Sequence, residues 1–220
     1  MKSRGLWCGC VVVIALLPSV GQATGQEQTV CPALGTDVPV EVRFNQAQPY
    51  VDDQHSRSWI QEQARALNHP IGLTVSRLSH TLTAHFLTRR ITGRNQCVYL
   101  KSLSLVLEYP NTTVYVDNAY PPGSCEYQAI YQHEMEHVRI LNTHQEKFLP
   151  SWRARLQTLA HKTRPLLSEN SQQAQQEILH ALDRAVRKEI EQLDKIQKAA
   201  QAAIDTPRNY TKVRASCRQW

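Results

Sequence analysis

Residues 131–144 read YQHEMEHVRILNTH, with three histidines in fourteen positions. A helical projection at about 100° per residue puts the ionisable side chains on the same face as the apolar ones. That face carries His133, Glu134, His137 and His144. Glu136 falls on the opposite, solvent side. The pattern therefore predicts a long amphipathic helix whose buried side bears ionisable groups.

His133 and His137 are four residues apart, so their imidazoles lie one turn apart and can reach a single tetrahedral Zn²⁺. Glu134 points beside them and is placed to take a proton from zinc-bound water. His133-Glu134-Met135-Glu136-His137 matches the HExxH pattern. We interpret it as a zinc site in which Glu134 is the catalytic base. The alternative is that the two histidines only pack in a helical core.

A third zinc ligand is needed, and the residues offer two candidates. His144 lies about 10.5 Å further along a straight helix than His137, and no helix breaker separates them. That distance favours a core or supporting role for His144. Glu189 lies in the apolar stripe of a later helix. It is either the third ligand or a buried carboxylate paired with His144.

The first 23 residues have the layout of a secretory signal peptide. Lys2 and Arg4 precede an apolar run, and Gly21-Gln22-Ala23 resembles a cleavage site. We predict cleavage, a secreted or periplasmic location, and no stable membrane span afterwards. A retained N-terminal anchor is the alternative. Cleavage lowers the formal charge from +6 to +4, and no dense basic block with aromatic residues predicts nucleic-acid binding.

The remaining chain predicts a single α+β domain. A small antiparallel β region precedes the HExxH helix, and a long antiparallel helical hairpin follows. Thr113–Val116, just before that helix, is a candidate edge strand for an extended peptide. The predicted segments are a domain at 24–220, with 24–124 mainly β and loops, 125–205 helical, hairpin arms at 125–163 and 168–205, and a C-terminal tail at 206–220.

Four cysteines remain after cleavage, and an even count in an exported chain predicts two disulfides. The hairpin arms have matching lengths, so the segment after Asp205 returns beside Cys125. This geometry favours a Cys125–Cys217 bond and, by elimination, a Cys31–Cys97 bond.

The arrangement resembles a bacterial family of domains described as predicted secreted zinc-dependent proteases. The resemblance covers roughly residues 80–212 and depends on the HExxH motif. That family carries a late Tyr-Asp-x-x-Thr-x-His-Gly segment, whose histidine would be a third ligand. Here Asp205 matches the aspartate, but Tyr210 stands at the histidine position. The resemblance therefore adds Asp205 and Tyr210 to the candidate ligands.

Two functions follow from these patterns. The first is a zincin-like metallopeptidase that hydrolyses peptide bonds with Glu134-activated, zinc-bound water, acting on peptides or proteins. The sequence does not favour proteins over cell-wall peptides as substrates. The second is a non-catalytic periplasmic binding or structural protein with a relict or structural metal site.

Overall fold

The computed structural model describes residues 31–35, 37–64, 70–218 and 220. The predicted signal peptide, residues 1–23, lies outside the described residues, and so does the predicted start of the domain at residue 24. The described chain from Cys31 onward belongs to one unit by its internal contacts.

Within these residues the protein is α+β, with four helices and two small mixed sheets. In chain order the elements are β1 (Val40–Asn45), β2 (Pro49–Asp52), α1 (Arg57–Ala64), β3 (Gly72–Val75), β4 (Ser79–Thr92), β5 (Asn95–Glu108), β6 (Thr112–Val116), α2 (Cys125–Lys162), β7 (Leu166–Ser168), α3 (Ser171–Ile204) and α4 (Pro207–Ala215).

The larger sheet is built around β5. β4 pairs antiparallel with β5 along most of its length, while β1 and β7 also pair with β5. The turn between β4 and β5 contains Gly93, whose φ of 57° suits a residue without a Cβ. This sheet forms the platform on which the long helices pack.

The smaller sheet has the order β2-β6-β3. β6 lies in the middle, so the prediction that Thr113–Val116 offers a free edge is wrong. Both sides of β6 already have hydrogen-bonded neighbours. β3 is an edge strand of this sheet instead, and it packs against α2.

The predicted antiparallel β region is also corrected. β1 runs parallel to β5, and β2 runs parallel to β6. In each case α1 and several strands separate the partners in sequence, which gives the long crossover that parallel pairing needs. Side chains alternate along a strand in both kinds of sheet, so the hydrophobic pattern does not reveal the strand direction.

α2 spans two hydrophobic cores. Its first half packs on the smaller sheet through Ile130, Val138 and Leu141. Its second half packs on the larger sheet and α3 through Trp152, Leu156 and Ala160. The helix is continuous across Pro150. Ser124 caps its start by accepting a hydrogen bond from the Tyr127 N–H at 3.1 Å.

The segment predicted as a C-terminal tail contains a helix, α4. Thr206 is the N-cap and accepts a hydrogen bond from the Asn209 N–H at 3.2 Å, and Pro207 occupies the first turn. Proline suits that position because the first helical N–H groups have no intrahelical partner. α3 and α4 are therefore separated by a short break that contains Asp205.

Both predicted disulfides are confirmed. Cys31 bonds to Cys97 in β5, and Cys125 at the start of α2 bonds to Cys217 just after α4. The second bond fixes the end of α4 beside the start of α2. No helix in the described part of the chain is both long and apolar enough to cross a bilayer.

Candidate metal centre

His133, Glu134 and His137 lie on the side of α2 that faces the protein interior. Glu134 is 2% exposed and His137 is 7% exposed. Their positions follow from helix geometry, because residues three and four apart share a face. The first half of α2 therefore buries three ionisable side chains next to an apolar core.

Asp205 brings a carboxylate to the two histidines. Its Oδ1 lies 3.3 Å from Nε2 of His133 and 3.1 Å from Nε2 of His137. Asp205 follows the last residue of α3, and the break before α4 turns its side chain toward α2. These three residues could hold a metal ion, since one ligand atom from each lies within 4.8 Å of the others.

The donor spacing fits a small tetrahedral cation. Ligands at the usual zinc bond lengths of about 2.0–2.2 Å are separated by roughly 3.3 Å in tetrahedral geometry. The two distances from Asp205 to the imidazole nitrogens, 3.3 and 3.1 Å, are close to that value. These two donor separations are therefore compatible with one bound ion.

Hydrogen bonds keep Asp205 ionised in this buried position. Burial opposes ionisation, but hydrogen bonds from His133, His137 and Tyr210 hold the pKa of the Asp205 carboxyl well below its usual range. The Tyr210 hydroxyl donates to Oδ1 of Asp205 at 2.9 Å. Burial and the nearby Asp205 charge raise the pKa of Tyr210. Tyr210, a candidate ligand from the sequence, thus contacts Asp205 as a neutral hydrogen-bond donor.

Gln201 holds His137 from the other side. Its Oε1 is hydrogen-bonded to Nδ1 of His137, and its Nε2 donates to the His137 carbonyl at 3.1 Å. An amide oxygen beside Nδ1 requires that nitrogen to carry a proton, so Nε2, which faces Asp205, is the nitrogen that would bind an ion once it has lost its own proton. Burial lowers the pKa of His137, but Asp205, Glu134 and Gln201 together raise it.

Glu134 lies between α2 and β3. The Thr74 hydroxyl is 2.8 Å from Oε2 of Glu134 and 3.0 Å from its backbone oxygen. A Cβ added at Gly72 would stand 2.6 Å from Oε1 of Glu134, so only glycine permits this approach. Burial raises the pKa of Glu134, and this effect outweighs the opposing charges of His137 and His133.

The other two candidate ligands lie elsewhere. Glu189 forms an ion pair with Arg155 of α2. His144 packs edge-on against Phe148, and its Nδ1 has no hydrogen-bond partner among the described residues. Neither residue belongs to the group of described side chains that could hold an ion, and their predicted mutual pairing is not observed. Glu189 turns to Arg155 because its flexible side chain can follow the surface between the two helices.

A cavity of about 490 Å³ opens beside the cluster. One end is lined by Glu134, His137, Asp205 and Tyr210, and its walls come from β3 and α3. His133 faces the opposite side, toward α4. Glu134 and a bound ion would therefore meet a molecule that enters from the β3 side.

Three supporting residues were missed from the sequence: Gly72, Thr74 and Gln201. Gly72 and Thr74 lie in the short strand β3. Its packing against α2 depends on contacts between distant parts of the chain, which a local sequence pattern does not reveal. A signal did exist for Gln201, because Gln197, Gln201 and Asp205 recur every four residues along one face of α3.

Comparisons with known protein families, with curated proteins and with solved structures found no match to this chain. The chemistry of the site is therefore inferred from the positions of its own residues. His133, His137 and Asp205 form a buried group that could hold a metal ion, beside Glu134 and an open cavity.

Proposed function

We propose that this protein is a secreted zinc-dependent metallopeptidase, of the kind found in the family of predicted secreted zinc-dependent proteases that it resembles. One observation carries the proposal. Asp205 lies within 3.3 Å of both motif histidines, and Glu134 stands next to them at the cavity. A catalytic zinc site needs three protein ligands and an open fourth position, and His133, His137 and Asp205 are three candidates for those ligands.

The donor set favours zinc over other common cations. Two imidazole nitrogens and one carboxylate oxygen are typical of catalytic zinc sites. Calcium and magnesium prefer sites made of oxygen ligands alone. Zinc held by His133, His137 and Asp205 would act as a Lewis acid that polarises a substrate carbonyl and makes water more acidic.

The chain's own residues have distinct tasks in this proposal. Glu134 accepts a proton from the attacking water and later delivers one to the leaving amine. Thr74 holds the Glu134 carboxylate by its hydrogen bond to Oε2. Gln201 fixes the tautomer of His137, and Tyr210 holds Asp205. Glu134, His137 and Asp205 are thus each oriented by a neighbour, as catalytic preorganisation requires.

β3 supports a peptide as the substrate. It is an edge strand, and Gly72, Leu73 and Thr74 line the same cavity as Glu134. A polypeptide in extended form would pair with that edge through main-chain hydrogen bonds and present one carbonyl to Glu134. Proteins, free peptides and cell-wall peptides share this backbone chemistry.

Export supports the same proposal. Two disulfides are typical of proteins that fold in oxidising compartments such as the periplasm or the extracellular space. The signal-like segment at residues 1–23 would direct the chain there.

Comparison of Glu134→Gln with Glu136→Gln tests the proposal. Glu136 lies inside the same motif but pairs with Arg139 at the surface. With zinc loaded, the wild type and Glu136→Gln should hydrolyse members of a mixed peptide library, as detected by mass spectrometry. Glu134→Gln should keep the zinc and lose hydrolysis by at least about 100-fold, given the usual size of general acid–base catalysis.

The opposite result has a clear meaning. If the wild type binds zinc but cleaves no peptide in the library, or if Glu134→Gln cleaves as well as the wild type, the peptidase proposal fails. A non-catalytic metal site then becomes the better description.

A further inference from the structure

The cavity continues past the metal cluster to a polar floor that the proposed chemistry does not use. Tyr109 and Gln197 line this part of the cavity and are 5% and 4% exposed. Tyr109 follows the last residue of β5, whereas Gln197 lies on α3. Two distant parts of the chain therefore bring a phenol and an amide to one buried spot.

The hydrogen bonds at the floor leave one donor and one acceptor without partners among the described residues. The Tyr109 hydroxyl donates to Oε1 of Gln197 at 2.6 Å, and Nε2 of Gln145 donates to that hydroxyl at 3.4 Å. The single hydroxyl proton is thus committed to Gln197. The two unpaired atoms are Nε2 of Gln197 and Oε1 of Gln145. A buried donor and a buried acceptor of this kind are unfavourable unless a bound molecule supplies the matching groups.

Part of the cavity wall is apolar. Leu73, Leu78, Leu141 and Ile190 line the cavity, together with charged side chains that include Arg77, Glu191 and Asp194. An aliphatic stem would pack against the apolar side chains, and an acceptor at its end would reach Gln197. This combination of an apolar wall with a few polar contacts is typical of a ligand pocket.

The floor favours a neutral acceptor over a carboxylate. Its polar groups are those of Tyr109, Gln145 and Gln197, which carry no charge at neutral pH. Two cations line the same cavity, but Arg77 is exposed, and Lys198 is 75% exposed and already pairs with Asp194 at 2.6 Å. A carboxylate at the floor would lose its hydration without gaining a buried cation, which is costly.

The position of Gln197 relates the floor to the metal cluster. Gln197 and Gln201 occupy successive turns of α3 and Asp205 caps its end, so Gln197 lies about 12 Å from Asp205 along the helix axis. An extended peptide advances about 3.3 Å per residue, and a long side chain adds several ångströms. A residue within one or two positions of the cleaved bond would therefore reach the floor.

We infer that the Tyr109–Gln197 floor is a substrate subsite for a side chain that ends in a neutral amide, as glutamine does. This inference rests on the proposed peptidase function, since it names the kind of peptide that the site accepts. Gln197 is its specificity-determining residue. Tyr109 is a positioning residue that holds the Gln197 amide through its hydrogen bond to Oε1.

Binding of small probes to the purified, zinc-loaded protein tests the inference without any need for turnover. The probes are N-acetyl-glutamine methylamide, its hydrocarbon isostere N-acetyl-homoleucine methylamide, and N-acetyl-glutamate methylamide. Dissociation constants are measured by NMR titration for the wild type, for Gln197→Met, and for Gln192→Met, an exposed glutamine on the same helix.

The wild type should bind the glutamine probe about tenfold more tightly than the homoleucine probe, as one buried hydrogen bond would provide. It should also bind glutamine more tightly than glutamate at pH 7. Gln197→Met should reduce the preference over homoleucine to less than about twofold, and Gln192→Met should keep it. If Gln197→Met does not fold, the inference is tested on wild-type protein whose glutamine side chains carry ¹⁵N. Only the glutamine probe should then shift the resonance of a buried side-chain amide.

Equal binding of the glutamine and homoleucine probes, binding of neither, or tighter binding of glutamate would overturn the inference. The outcome is separable from the peptidase proposal. A protein that prefers the glutamine probe but cleaves no peptide keeps its subsite and loses its proposed activity. A protein that cleaves peptides without this preference does the reverse.

Discussion

The two halves of α2 differ in what they bury. The second half buries Trp152, Leu156 and Ala160 against the larger sheet and α3. The first half also packs against apolar residues, yet it buries Glu134 and His137. Apolar burial stabilises the fold directly, whereas buried polar groups cost free energy unless each has a partner. The second half of α2 therefore mainly stabilises the fold. The first half carries the candidate metal site, at a cost in stability.

The largest expected effect is on the supporting half. Leu156→Ala should lower the free energy of unfolding by about 2–5 kcal/mol, because it leaves a cavity in the larger core. The folded fraction should still bind zinc normally, since Leu156 is remote from the metal cluster. Chemical denaturation and metal analysis of the same sample measure both effects. A loss of zinc from fully folded Leu156→Ala would break the proposed division between the halves.

Gly72→Ala should have a smaller effect, at the contact between β3 and the first half of α2. The added Cβ would lie 2.6 Å from both Oε1 of Glu134 and Cγ2 of Ile130, so the strand must shift. Overpacking of this kind costs about 1–3 kcal/mol. Thermal or chemical unfolding measures it, and Val75→Ala, an exposed position on the same strand, is the control. Equal stability of the two variants would show that the contact is not tight.

Gln201→Met tests whether a neighbour supports the metal ligands. Loss of the amide frees the His137 ring and its tautomer, so zinc affinity should fall about 10- to 100-fold with little change in stability. Competition with a chromophoric chelator measures the affinity. Gln192→Met, at an exposed position of the same helix, should bind as the wild type does. Unchanged affinity in Gln201→Met would remove Gln201 from the site.

The two helices differ in how much of this the sequence could predict. The spacing of His133, Glu134 and His137 is a local property of an α-helix, so their shared face follows from residue numbers alone. Asp205 depends on how α3 ends. The Thr206-Pro207 pair predicts the end of a helix, although the same pair is also a good N-cap and first residue of the next one. α4 is therefore missed from the sequence, and with it the reason why Asp205 turns inward.

Long polar side chains account for the remaining errors. Glu189 lies in the apolar stripe of α3, but it pairs with Arg155. Gln197 is buried although it is polar, while the neighbouring Ile196 is 46% exposed. A helical projection assigns a direction to each Cβ but not to the end of a long side chain, so it cannot distinguish these cases. The parallel strand pairs escape prediction because strand direction depends on distant crossovers.

The smallest expected effect concerns a hydrogen bond between Asp183 of α3 and His80 of the larger sheet. Hydrogen bonds from His80, which has the larger effect, and from Arg187 lower the pKa of Asp183 in the folded state. Because the pKa of Asp183 is lower in the folded state, the interaction stabilises the protein fully when the pH is above the unfolded-state pKa of about 3.9. This stabilisation is lost as the pH falls through the folded-state pKa. Asp183→Asn should therefore cost less than about 1 kcal/mol at neutral pH, because Asp183 is partly exposed.

The difference between Asp183→Asn and the wild type should shrink as the pH falls below about 4. Urea denaturation over a pH series measures it, with Glu177→Gln, an exposed carboxylate on the same helix, as the control. If the difference in stability between Asp183→Asn and the wild type grows on acidification, the predicted direction of the pH dependence is wrong.

Zinc content of single variants tests the central claim most directly, because the claim is that α2 and the end of α3 together form one metal site. Metal analysis after dialysis should find about one zinc per chain in the wild type, in His144→Ala and in Glu189→Ala. His133→Ala, His137→Ala and Asp205→Ala should each remain folded and lose the ion. Full zinc retention by Asp205→Ala, or loss of zinc from Glu189→Ala or His144→Ala, would contradict the assignment of Asp205 as the third ligand.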